Sequence, residues 1–230
     1  MANTALDGKP YAGNPHVRID EGDGASAKPR RSSLLYKTLV EKVFVSMEEM
    51  EKAFNKVRVE LQNMDLLFEG SRIDEVDCYH ERFSVGALYG LAAMGFYDPA
   101  DQNIHIPAVY PPGLFPQLQD REIRDVIRHE FGHALADRYR KFFRGGIFKA
   151  AFGASYGEKK VFDGGDWEAE YVTEYASTMT QEDFAETFML YMKYKGKMPA
   201  RYRGKRAIEK KWETVGLIVK DVAAKCRLGI

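Results

Sequence analysis

The stretch DREIRDVIRHEFGHALADRYRKFF, residues 120–143, decides how the chain is read. Asp120 suits an N-cap, and the residues after it favour one long helix from Arg121 to about Phe143, closed by Gly145-Gly146. Within it, His129-Glu130-Phe131-Gly132-His133 sets two imidazoles four residues apart. On a helix that spacing stacks them on one face, one turn apart, so both can meet a single metal ion. Glu130 stands beside them, within reach of a water in the metal's open position, where a general base is needed.

A catalytic zinc needs three protein ligands and an open position. The extended form of the motif would require Gly at position 136 and His at 139, where Ala136 and Tyr139 stand. His16, His80 and His105 precede the motif and no histidine follows His133, so a downstream carboxylate is expected. Glu168, Glu170, Glu174, Glu182 and Glu186 are the candidates. Glu182 and Glu186 stand out, because they lie four apart on a helix predicted from a Thr180/Asp183 capping box to about Tyr194. One can bind the metal while the other accepts a hydrogen bond from a ligand imidazole, fixing its tautomer.

His129-Glu130-Phe131-Gly132-His133-Ala134, then Tyr175, then Glu182-Asp183-Phe184-Ala185-Glu186-Thr187-Phe188, resembles the anthrax lethal factor-like metallopeptidases. These are gluzincins and include the secreted Pro-Pro endopeptidases. In that family a tyrosine precedes the ligand glutamate by seven residues and a second glutamate follows it by four, the spacings found here. The resemblance, over about residues 95–190, implies His129, His133 and Glu182 as zinc ligands and Glu130 as general base. It further implies Glu186 as the carboxylate behind a ligand imidazole and Tyr175 as a hydroxyl facing the oxyanion. The implied fold is α+β and zincin-like: a twisted sheet with an edge strand over the active-site helix, and a small helical lower lobe.

Ser46 and Glu49 form a second capping box, ahead of a helix over Met47–Leu61 with Met50, Phe54, Val57 and Leu61 at helical spacing. Strand-like pieces follow at 76–79 and 83–89. Gly95-Phe96-Tyr97, the turn 98–103 and Ile104-His105-Ile106 read as a β-hairpin ended by Pro107 and Pro111-Pro112-Gly113, with proline favouring a sheet edge. Residues 147–174 look irregular. Ile208, Trp212, Val215, Val219, Val222 and Cys226 mark a C-terminal amphipathic helix. Residues 1–32 read as a disordered lead-in, rich in small and polar residues. Residues 33–230 form one catalytic domain, with an upper lobe of about 33–143 and a lower lobe of about 144–230.

Thirty-four basic residues balance thirty-four acidic ones, so no overall field favours nucleic acid or an anionic membrane. No apolar run approaches the ~18–20 residues of a membrane span. No conventional signal peptide is recognisable, which favours a cytoplasmic protein or export without a cleavable signal. Cys78 and Cys226, far apart and outside any C-x-x-C pattern, read as two buried, unpaired thiols. His105 reads as a solvent-facing strand residue, and His80 beside Cys78 lacks the further ligands a second metal site would need.

The expected activity is that of a monomeric zinc endopeptidase with one Zn2+ per chain, hydrolysing peptide bonds with a water activated by Glu130. Its substrate is a protein or peptide, pairing along an edge strand at residues 104–108. Tyr110, Phe162, Tyr171 and Tyr175 are candidates for side-chain pockets. Two other readings remain: zinc-dependent hydrolysis of a non-protein amide, and a catalytically silent metal-binding module. The carboxylate of Glu130, for which a structural metal site has no use, speaks against the last.

Overall fold

Serine at 46 and glutamate at 49 start the first helix as their types dictate. Glu49 N–H donates to Ser46 Oγ (3.1 Å) and Ser46 N–H donates to Glu49 Oε2 (2.9 Å), opening α1, Met47–Gln62. In the computed structural model, which describes residues 45–81, 95–109, 122–158 and 166–228, α1 turns Met50, Ala53, Phe54, Val57 and Leu61 inward. Phe54 stacks on Phe131 at 5.8 Å between ring centroids.

Three short strands follow: β1 (Cys78–Glu81), β2 (Phe96–Asp98) and β3 (Asn103–Pro107). Their order is β1-β3-β2, with β1 parallel and β2 antiparallel to β3. The predicted hairpin is therefore present. Its place in the sheet differs from the expectation, because residues 104–107 lie in the middle strand and are paired on both sides. Among the described residues the edge beside the helix is β2. Proline at 107 is tolerated because it is the last residue of its strand. Gly95 lets β2 approach the helix below. A Cβ there would fall 2.7 Å from Ile106 Cδ1 and 2.9 Å from Val126 Cγ1.

The motif helix, α2, spans Ile123–Arg138 and breaks at Tyr139 (φ −120°, ψ 39°), so it ends earlier than predicted. The expected cap, Asp120, lies outside the described residues; Glu122 takes that position without a side-chain bond. One turn, α3 (Arg140–Phe143), follows. Gly145 and Gly146 then begin a helix, α4 (Gly146–Phe152), and do not close one. Residues 147–152 are therefore helical where irregular chain was expected. Phe148 and Phe152, four apart, drive this by burying against Phe143 and Phe184.

Asp166 caps α5 (Trp167–Glu170), accepting from Glu168 N–H, and a 3₁₀ turn covers Tyr175–Ser177. Helix α6 spans Thr180–Lys193. Its N-cap is Met179, with no side-chain bond, so Thr180 begins the helix without the predicted capping box. Asp183, the other half of that box, is instead fully buried and pairs with Lys211 at 2.6 Å. Lys211 comes from α7 (Arg206–Leu228), which buries Ile208, Trp212, Val215, Val219 and Val222 as its periodicity requires. The Cys226 side chain lies outside the described residues, as do the predicted strand 83–89, Tyr110, Pro111-Pro112-Gly113 and Phe162. The chain is thus α+β, with seven α-helices and a three-stranded sheet among the described residues. None of those helices is long and apolar enough to cross a membrane.

Candidate metal centre

Helices α2 and α6 meet where Gly132 faces Ala185. A Cβ on Gly132 would lie 3.1 Å from Ala185 Cα and 3.3 Å from Phe188 Cδ1, tighter than ordinary contact. With only hydrogen there, the backbones close up, and the two glutamates flanking Ala185 reach the buried face of α2. Salt bridges hold α2 in place. Arg128 pairs with Glu60 of α1 (2.6 Å) and Asp125 (2.5 Å), and Lys193 of α6 pairs with Asp125 (2.6 Å).

This crossing gathers three potential ligand atoms. His129 Nε2 lies 3.0 Å from His133 Nε2 and 3.1 Å from Glu182 Oε2, and His133 Nε2 lies 3.5 Å from that oxygen. Ligands held 2.0–2.1 Å from a tetrahedral zinc lie about 3.3 Å from one another, so the triangle has the dimensions of one face of such a site. The other ring nitrogens are occupied. His129 Nδ1–H donates to Glu186 Oε1 (2.7 Å), and His133 Nδ1 lies 2.6 Å from the Tyr156 hydroxyl. With protons on both Nδ1 atoms, the two Nε2 atoms and the Glu182 carboxylate converge in a buried place where a metal ion can be held.

The electrostatics agree. Burial resists protonation of His129, but its bonds to Glu182 and Glu186 outweigh that and raise its pKa to about 10. Burial likewise opposes the charge on Glu182, yet His129 and His133 hold its carboxyl well below the usual carboxylate range. The metal-free protein thus stabilises a positive charge where an ion would sit, and His129, His133 and Glu182 can hold a metal ion.

Glu186 is fully buried, and its second oxygen accepts from Thr173 Oγ1 (2.9 Å), which in turn accepts from Ala176 N–H (3.1 Å). Glu130 is 5% exposed and its Oε2 accepts from Tyr97 N–H at 2.9 Å. The edge of β2 thereby fixes one oxygen of the carboxylate. A cleft of about 470 Å³ opens beside the centre, with Tyr97, Glu130, His133, Arg144, Tyr156 and Tyr175 among its walls. Tyr175 is 49% exposed along that cleft, with its ring centroid 5.9 Å from that of His129. Burial, then the charges of Glu182 and Glu130 and a hydrogen bond to Glu182, hold its pKa well above the usual tyrosine range. It therefore stays a hydrogen-bond donor.

All six residues singled out from the sequence, His129, Glu130, His133, Tyr175, Glu182 and Glu186, come together here. Glu168, Glu170 and Glu174 stay at the surface. Tyr171 is buried away from the cleft, beneath Lys211. His80 bonds the Val45 carbonyl (2.7 Å), and Cys78 is free but half-buried, where full burial was expected. The expectation of a solvent-facing His105 is wrong. It is 9% exposed, enclosed by the Phe96 and Tyr79 rings and bonded at both nitrogens. Sequence reasoning missed Tyr156, Thr173 and the Tyr97 amide. Each acts through position in space, and no local spacing marks it.

Comparison with known families, with characterised proteins and with solved structures finds no match to this chain.

Proposed function

We propose that this chain is a zinc-dependent endopeptidase with a zincin-like fold, related in its site to the gluzincins. One observation carries the reading. Three ligand atoms spaced for a tetrahedral ion sit beside a carboxylate and a tyrosine donor, at the floor of an open cleft. A structural metal site would be closed by a fourth protein ligand and would need neither Glu130 nor the cleft.

His129, His133 and Glu182 would hold the zinc. When bound, the ion lowers the pKa of a water and polarises a carbonyl. Glu130 takes the proton of the attacking water and delivers it to the leaving amine. Its oxygen bonded to Tyr97 N–H keeps the other oxygen turned to the reaction. Tyr175 donates to the oxygen on which negative charge develops, an interaction strongest in the transition state. Thr173 and Glu186 hold the His129 ring, and Tyr156 that of His133.

The edge of β2 favours a peptide over a small amide. In an antiparallel pair, alternate residues turn both backbone groups away from the partner strand. Tyr97 is such a residue, since its N–H points to Glu130, so its carbonyl faces the cleft as well. With its N–H held by Glu130, the Tyr97 carbonyl is the group left to accept from an extended peptide, and the expected pairing segment moves from residues 104–108 to 96–98. Digestion of an unbiased peptide library by zinc-loaded protein tests the reading. Internal cuts should appear, vanish on chelation and return with zinc. A library left intact while small non-peptide amides are hydrolysed would overturn it.

A further inference from the structure

Helix α2 carries a third side chain on the stripe that bears Glu130 and His133. Asp137 lies one turn beyond His133 and two beyond Glu130, at positions i, i+3 and i+7 of one helical face. All three line the cleft.

Asp137 meets the residue whose amide holds Glu130. Its Oδ2 accepts from the Tyr97 hydroxyl (3.1 Å), while Tyr97 N–H donates to Glu130 Oε2 (2.9 Å). Tyr97 therefore spans two turns of α2, bound by its backbone at one end and by its phenol at the other. Arg140 holds the far side of the carboxylate. Its Nε donates to Asp137 Oδ1 at 3.0 Å, which leaves Oδ2 for Tyr97. Burial, then the charge of Asp137, push the Tyr97 hydroxyl up to about 12, so it stays protonated and remains the donor.

The place of this contact in the sheet gives it more than a packing role. Strand β2 is three residues long, pairs with β3 on one side, and turns the backbone groups of Tyr97 away from that partner. So short a strand is held weakly by its own ladder. The Tyr97 amide depends on its side chain for its place, and that side chain is 8% exposed and tied to Asp137. A shift at the hydroxyl passes to the amide, and from the amide to Glu130.

We propose that Asp137 is a positioning residue for the reaction, an inference that rests on the reading of Glu130 as general base. Acting through Tyr97, it sets the β2 edge against α2 and so the orientation of the Glu130 carboxylate. Two measurements test this: turnover of a peptide cleaved by the zinc-loaded wild type, and hydrogen exchange of the Tyr97 amide in the metal-free full chain. Asp137→Ala and Tyr97→Phe should each lower kcat ~10-fold at unchanged KM and zinc content, less than the ~10²-fold that a 1 Å misplacement can cost. Combined, they should cost no more than either alone, because both break one contact. Asp137→Asn keeps an acceptor for the hydroxyl and should recover most of the loss. In the alanine and phenylalanine variants the Tyr97 amide should exchange faster, with the core amides of α2 unchanged. Wild-type kcat in Asp137→Ala, additive losses in the double variant, or an asparagine variant as slow as the alanine one would overturn the proposal. Exchange needs no turnover, so a chain that cuts no peptide would defeat the peptidase reading alone, and unchanged exchange at Tyr97 would defeat the anchor.

Discussion

Two histidines in this molecule are gripped alike and surrounded differently. His129 has Glu186 at 2.7 Å from Nδ1 and Glu182 at 3.1 Å from Nε2; His105 has Glu81 at 2.6 Å and Asp101 at 2.9 Å. The first pair of contacts is made between two long helices, with a second imidazole, an adjacent carboxylate and a cleft beside it. The second is made across short strands, with neither a base nor a cleft. The shared grip holds each imidazole by both of its ring nitrogens. Chemistry depends on what stands next to it, here Glu130 and Tyr175.

That contrast suggests substitutions. The largest effect is expected at Glu182→Ala, which removes a charged ligand. The chain should lose its zinc and all peptide cleavage. Full zinc content with reduced cleavage would mean that Glu182 is no ligand. Tyr175→Phe comes next, because it deletes only the hydroxyl. By analogy with other oxyanion donors, kcat should fall ~10²-fold, with KM and zinc content nearly unchanged. A kcat close to wild type would return Tyr175 to a packing role.

Glu186→Ala tests the grip itself. Zinc affinity at the centre should weaken ~10–100-fold, the usual effect of losing a carboxylate behind a ligand imidazole. If the metal is lost entirely while Glu182→Ala keeps it, the two glutamates have exchanged roles. The smallest change is Gly132→Ala. Alanine improves helix propensity by up to ~1 kcal/mol, but crowding at Ala185 should cost ~1–3 kcal/mol. Urea unfolding should therefore show net destabilisation of about 1 kcal/mol. A more stable variant would show that α2 and α6 can separate freely.

The contrast also explains what could be read from sequence. A helix places residues four apart on one face, so His129 and His133, and then Glu182 and Glu186, announce themselves by spacing alone. Gly132, between the two histidines, is visible as a residue, but its purpose emerges only at the crossing with Ala185. The hairpin was legible from its turn residues. The strand order was not, because β1 enters the sheet parallel to β3, and nothing local to residues 78–81 foretells that partner. The same pairing buries His105 and brings Glu81 to it from 24 residues away, which is why a strand histidine looked solvent-facing. The helix at 146–152 escaped because two glycines precede it, and its stability comes from Phe148 and Phe152 packing on distant rings, not from its own propensity.

Glu130→Gln isolates the proposed role of Glu130 as the base beside a zinc held by its neighbours. Glutamine keeps the shape of the side chain and removes its basicity. Turnover of a peptide cleaved by the zinc-loaded wild type should be measured alongside zinc content. Zinc content should be unchanged and kcat lower by ~10²–10⁴-fold, the range typical of a lost general base. A kcat within a few-fold of wild type, at full zinc occupancy, would contradict it.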